Sequence, residues 1–164
     1  MTAVDGLTNE GGTGPTARLA EMGLTLPPVA VPVAAYVPAV RSENYVYTSG
    51  QLPMVEGQLI RTGKVGAEVS PEDAKDLARV CALNALAAAA SVAGGLDAVR
   101  RIVKVVGFVA SAPDFTGQPQ VVNGASELLG DVFGEAGVHA RSAVGVAVLP
   151  LDAPVEIELV VEVA

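Results

Sequence analysis

Between Val155 and Val163 the chain alternates without a break. Val155, Ile157, Leu159, Val161 and Val163 fall on one side, and Glu156, Glu158, Val160 and Glu162 on the other. A period of two fits a pleated strand and no helix. Five branched aliphatics on one side need a covering layer, so this strand belongs to a sheet with one packed face. The preceding segment alternates too, with Val144, Val146 and Val148 on one side and Arg141, Ala143, Gly145 and Ala147 on the other. Leu149 to Pro154 reads as the turn between them. Pairing the two strands as a hairpin about Leu151-Asp152 sets Glu156 opposite a residue near Ala147 or Val148. Arg141 and Glu156 then share a sheet face by parity but lie roughly 20 Å apart along the ladder. In that geometry only a neighbouring subunit brings a Glu156 to Arg141.

The covering layer is legible upstream. Ser70 can cap a helix, Pro71 suits its first position, and Glu72 and Asp73 meet the positive end of its dipole. The helix is predicted to run to about Ala93 and stop at Gly94-Gly95. Its apolar stripe is Leu77, Cys81, Asn84 or Ala85, Ala88 and Val92. A second helix is predicted over about Gln118 to Phe133, with Val121, Val122, Ala125, Leu128, Leu129, Val132 and Phe133 on one stripe. Arg101 to Ala110 is a continuous apolar run and reads as a buried central strand. Arg41 to Ser49 has strand character, with Tyr45, Val46, Tyr47 and Thr48 as its β-formers and Glu43-Asn44 as a turn before them, and Glu56-Gly57 is a turn before a short strand at Gln58 to Arg61. Residues 1–14 read as a disordered tail and 15–164 as one domain. That domain opens with a short amphipathic piece, Ala17 to Met22, and an extended connector through Pro27, Pro28 and Pro32. The element order predicts an α+β fold, a mixed sheet with two helices on one face.

The chain of 164 residues carries 10 Lys and Arg against 18 Asp and Glu, a formal charge of −8, which opposes a phosphate backbone. Arg100, Arg101 and Lys104 form too small a basic cluster to reverse that, so no nucleic-acid partner is expected. One cysteine and one histidine cannot build a structural metal site, and neither a cofactor nor a metal is expected. No apolar run approaches the ~20 residues of a membrane span, so no membrane partner is expected. Met1 to Pro15 lacks the basic start and apolar run of a secretory leader, so the expected location is cytoplasmic. Hydrophobic residues make up 51% of the chain, so either the core is large or some surface is covered by other subunits.

Few residues invite chemistry. Gly57 to Lys64 misses a phosphate-binding loop by one residue of spacing, with Val65 where a hydroxyl should hold magnesium. Cys81 lies on the apolar stripe of its helix and reads as a small buried hydrophobe. His139 has no partner nearby in sequence and reads as a surface residue at a strand entry. Arg141 stands among Ala140, Ala143, Gly145 and Ala147. A guanidinium with small neighbours suits bidentate capture of a carboxylate, and equally a structural ion pair with a strand glutamate.

Three blocks occur in order: Tyr47-Thr48-Ser49-Gly50-Gln51-Leu52-Pro53, Ala140-Arg141-Ser142-Ala143-Val144 and Val155-Glu156-Ile157-Glu158. Together they resemble the signature blocks of the YjgF/Rid family, also called "endoribonuclease L-PSP", over about Val33 to Ala164. The longer N-terminus and Ser111 to Asn123 resemble a distinct subgroup. The resemblance implies a chorismate-mutase-like α+β fold and a homotrimer with three clefts between subunits. It also implies hydrolysis of reactive 2-aminoacrylate-type enamines and imines to 2-keto acids and ammonia. By position, Arg141 matches the arginine that grips the substrate carboxylate and Glu156 the glutamate that orients the attacking water. Tyr36 matches the first-strand tyrosine, Ser49 and Gly50 the pocket wall, and Asn123 the second-helix asparagine. Ala143 stands where archetypal members have Cys, a position used through its backbone carbonyl. Ala34-Ala35-Tyr36-Val37-Pro38 replaces the usual Gly-Pro-Tyr. Two other classes stay open: a non-catalytic trimer binding small carboxylates or keto acids, and a ribonuclease, which the charge disfavours.

Overall fold

The computed structural model describes residues 12–32 and 34–164. Most of the expected tail, residues 1–11, lies outside the described residues. Three helices, α1 (Pro15–Glu21), α2 (Pro71–Ala93) and α3 (Gln118–Phe133), accompany seven strands. These are β1 (Ala39–Ser42), β2 (Tyr45–Thr48), β3 (Met54–Val55), β4 (Gln58–Leu59), β5 (Val99–Ala110), β6 (Ala140–Val146) and β7 (Val155–Val163).

The caps of α2 are those expected. Ser70 Oγ accepts from Asp73 N–H at 3.1 Å, and Gly94 closes the helix in the left-handed region at φ 92°. Ala74, Ala78, Ala82, Ala85 and Ala89 are fully buried, so small side chains let α2 lie close to the sheet and to α3. At 23 residues and a mean hydropathy of 1.4, α2 has the length and composition to cross a membrane, against the reading that no stretch does. Its buried stripe is instead the centre of the core. Leu128 and Leu129 of α3 are fully buried, each worth about 1.5–3 kcal/mol. α1 lies beside α3, with Leu19 buried and Arg18 Nη1 donating to the Val132 carbonyl at 3.4 Å.

The five-stranded sheet has the order β1-β2-β7-β5-β6, and β3 and β4 form a separate hairpin. That hairpin turns at Glu56 and Gly57, both at positive φ, and Asn84 of α2 ties it down by donating to the Leu52 and Met54 carbonyls at 3.0 Å. β7 is central and antiparallel to β5, and β6 is an edge strand parallel to β5.

This topology overturns the β6–β7 hairpin. β5 lies between the two strands, with Arg141 level with Val105 and Leu159, and Glu156 level with Phe108 and Val144. Partners across a ladder point to the same side. Arg141, Ala143 and Gly145 therefore share the helix-facing side with Val105, Leu159 and Ile157. Glu156 shares the opposite side with Phe108 and Val144. The expected common face of Arg141 and Glu156 is wrong, and so is the 20 Å spacing. Their Cα atoms are three residues apart along the strands and two strands apart across them, about 14 Å.

The helix-free side of the sheet carries Val40, Tyr45, Tyr47 and Val144, between 42% and 53% exposed, interleaved with Glu156, Glu158 and Glu162.

Candidate functional site

Arg141 enters from the edge strand and reaches along α3. Its Nη1 donates to Asn123 Oδ1 at 2.7 Å and to Ser126 Oγ at 3.2 Å, and its Nη2 to the Pro119 carbonyl at 3.3 Å. Pro119, Asn123 and Ser126 follow one another at four- and three-residue steps, so one helical stripe supplies all three acceptors. A guanidinium has five N–H donors. Three are engaged, leaving Nε–H and one Nη2–H, and these two nitrogens lie on one edge of the planar group. Among the described residues the salt bridges are Arg61–Asp73, Lys64–Asp152 and Lys75–Glu127, and none involves Arg141. The ion pair with a strand glutamate is absent, and what remains is an oriented two-donor fork. Ala143, half-buried on the same side of β6, adds no bulk in front of it.

A second group assembles around Glu156 at the start of β7. The segment after β2 is clamped to β7 by Gln51 N–H to the Ile157 carbonyl, 2.8 Å, and the reciprocal bond at 3.0 Å. This lays Gly50 against the Glu156 carboxylate. A Cβ at Gly50 would fall 1.9 Å from Glu156 Oε1, so only glycine leaves the carboxylate its place. Burial, then the neighbouring Glu158 carboxylate, raise the pKa of Glu156 above the ordinary value of 4.5. Its conjugate base is thus a better proton acceptor than an exposed glutamate. Ser49 points elsewhere than a ligand wall would require: its hydroxyl donates to the Val37 carbonyl at 2.6 Å and its N–H to that of Pro38 at 2.8 Å. It tethers the loop carrying Tyr36. Tyr36 is half-exposed and lines, with Gly50, Gln51, Leu52 and the Pro27–Pro32 connector, a cavity of about 630 Å³.

The expected residues thus form two half-sites on opposite sides of the sheet. Arg141, Asn123 and Ala143 make one, and Glu156 with Gly50 against it the other, while Tyr36 lines the cavity that reaches Asn84 of α2 and Ser49 ties down its loop. Sequence reading missed Ser126, whose only signal is its three-residue spacing from Asn123. It also took His139 for an unpartnered surface residue, whereas His139 Nε2 lies 2.9 Å from Ser126 Oγ. Cys81 is fully buried, its thiol facing the Val155 carbonyl at 3.7 Å, and burial pushes its pKa well up. That fits an inert core thiol. Among the described residues no cluster of three or more His, Cys, Asp or Glu is placed to hold a metal ion.

Two long helices on one side of a mixed five-stranded sheet, with an arginine fork and a half-buried glutamate, define a chorismate-mutase-like α+β protein. The family described as "YjgF/chorismate mutase-like, putative endoribonuclease" matches residues 16–163, and the chain belongs to it. Protein TCP17 of Trypanosoma cruzi is 44% identical over 147 residues, covering 89% of this chain and 92% of that one. The crystal structure of Atu1372 from Agrobacterium tumefaciens, a protein of unknown function, is 48% identical with a TM-score of 0.82, over 92% of this chain and 93% of that one. Escherichia coli TdcF, crystallised with bound serine, is 29% identical with a TM-score of 0.60, over 85% and 93%.

Proposed function

We propose that this protein hydrolyses 2-aminoacrylate-type enamines and imines to 2-keto acids and ammonia, at clefts between the subunits of a homotrimer. The observation that carries the reading is the Arg141 fork. Three acceptors on α3 hold the guanidinium, two adjacent donors stay free, and no carboxylate among the described residues neutralises it. A bidentate carboxylate fits such an edge. The serine bound to TdcF is a small amino acid that carries such a carboxylate.

The chemistry asked of the second half-site is modest. Once its nitrogen is protonated, an imine carbon is electrophilic and needs only a positioned water. Glu156, with its raised pKa, can accept a proton from that water and return one to the leaving amine. Anchoring the carboxylate fixes the carbon relative to the water, and orientation of this kind supplies several kcal/mol. One protomer cannot do both jobs, since Arg141 and Glu156 stand about 14 Å apart on opposite sides of its sheet. A homotrimer that packs the exposed Val40, Tyr45, Tyr47 and Val144 side of one sheet against a neighbour would cover apolar surface and bring the two half-sites of different chains together.

Ala143, without a thiol, favours a second reading as a trimer that binds small carboxylates without turnover. A ribonuclease is the weaker third reading, given the charge of −8. The test generates 2-aminoacrylate in situ with a serine dehydratase and follows keto-acid release with and without the protein. Acceleration over the spontaneous rate supports the deaminase. Keto-acid binding without acceleration supports the binding protein.

A further inference from the structure

We infer that Ser126 and His139 are positioning residues for Arg141, a two-residue relay that fixes the roll of the guanidinium and so the direction of its free edge. The inference rests on the reading of Arg141 as a carboxylate anchor. With the imidazole neutral, hydrogen-bond polarity orients each link. His139 Nδ1 lies 2.6 Å from the Gly137 carbonyl, which can only accept, so Nδ1 carries the ring proton. In the neutral ring Nε2 is then an acceptor, and Ser126 Oγ–H, 2.9 Å away, must donate to it. That turns the hydroxyl lone pairs away from His139 and toward Arg141 Nη1, 3.2 Å off. Asn123 Oδ1 takes the other Nη1 proton. With both Nη1 protons and one Nη2 proton assigned, the group cannot rotate about its Nε–Cζ bond without breaking three bonds. Its Nε/Nη2 edge is the one left to a ligand.

The relay is more than packing. The ring is anchored at Nδ1 by a backbone carbonyl of the 3₁₀ turn Gly134–Gly137, directly before β6, so turn, helix and strand converge on one hydroxyl. A serine free to spin could equally donate its proton toward Asn123 and meet the guanidinium proton to proton. His139 removes that alternative.

The experiment is calorimetric binding of 2-oxobutyrate and of its neutral amide to the intact oligomer. Wild type, Ser126→Ala, His139→Ala, His139→Gln and Arg141→Ala are compared. Gln offers a carbonyl to the Ser126 proton and does not titrate. Ser126→Ala and His139→Ala should weaken the keto acid about tenfold and leave the amide unchanged, and His139→Gln should restore the acid to within about threefold of wild type. Unchanged acid binding in both alanine variants overturns the relay. So does an equal loss of acid and amide, which marks a structural role, or a failure of Gln to rescue. Wild type that binds no keto acid, or Arg141→Ala that binds it normally, refutes the anchor and not the relay. The relay is then read without ligand, from ¹⁵N spectra of the Arg141 side chain. Slow guanidinium rotation in wild type and His139→Gln, with fast rotation in both alanine variants, upholds it, and equal rotation in all four overturns it.

Discussion

Gly124 and Gly130 sit on the same helix, and the same substitution should move stability in opposite directions at the two. An Ala in a helix interior is favoured over Gly by about 1 kcal/mol. At Gly130 a Cβ meets nothing within 4 Å, so Gly130→Ala should collect most of that gain. At Gly124 a Cβ would fall 1.9 Å from the Lys75 carbonyl oxygen and 2.8 Å from its carbon, both backbone atoms of α2. Ordinary contact begins near 3.4 Å, so α3 must retreat from α2 by about 1.5 Å. Val121, Val122, Ala125 and Leu128 beside it are fully buried and would lose contact together. Overpacking costs typically about 1–3 kcal/mol, and more where backbone is the obstacle, so the net loss should be about 1–2 kcal/mol or greater. For a chain of this size that is a fall in Tm of roughly 2–8 °C, against a rise of about 2–4 °C for Gly130→Ala. Thermal and urea melts at one fixed protomer concentration measure both, because the proposed assembly would contribute to apparent stability. The shift also displaces Asn123 and Ser126 from their places beside Arg141, so Gly124→Ala should weaken keto-acid binding while Gly130→Ala leaves it alone. A Gly124→Ala protein as stable as wild type would refute the claim of backbone contact between the two helices.

The remaining tests probe the half-sites. Arg141→Ala and Glu156→Ala should each be inactive, and chains of the two unfolded and reassembled together should recover activity. Random assembly gives about a quarter of the clefts both native residues, so no recovery in trimers shown to be mixed refutes shared sites. Cys81→Ala should cost on the order of 1–2 kcal/mol through a small cavity and keep full turnover, and iodoacetamide should not label the native thiol. Because Glu156 titrates higher in the fold than in the unfolded chain, its stabilising contribution is fully present below pH 4.5 and is lost as pH rises through the folded value. Glu156→Gln should therefore melt higher than wild type near neutral pH, lose that advantage in titration to below pH 4.5, and be inactive throughout.

The helices and the central strands were legible because burial and local chemistry agree there. Ser70-Pro71 and Gly94-Gly95 mark the ends of α2, and the five aliphatics of β7 all point into the core as their alternation requires. α1 was less visible. It has seven residues, its N-cap Gly14 offers no side chain, and its one buried residue, Leu19, is too little to set a period. The turn at Glu43-Asn44 was legible, with Glu43 at φ 52°, but the strand before it was not, because β1 has four residues and only Ala39 is buried.

β6 is where periodicity could not decide. Alternation sorts residues onto two sides and leaves open which side faces the helices. That choice is made by the strand a segment pairs with and by the register, and slipping by one residue reverses it. In β7 the core decides, because burying Glu156, Glu158 and Glu162 beneath α2 would strand three charges. β6 has no such constraint. It is an edge strand, with Val144 and Val146 on one side and small residues with one arginine on the other, and hydropathy alone would turn the valines inward. Parallel pairing with β5 does the reverse. Val144 is exposed at 44%, and Arg141, Ala143 and Gly145 turn toward α3. The inversion makes sense energetically once Arg141 is seen with its partners. Asn123, Ser126 and the Pro119 carbonyl are waiting on α3, three polar acceptors that a turned-in valine would leave unsatisfied. The side that looks wrong for a monomer, valines out and a guanidinium in, is the arrangement that the proposed carboxylate site and the proposed apolar subunit contact would both require of the same strand.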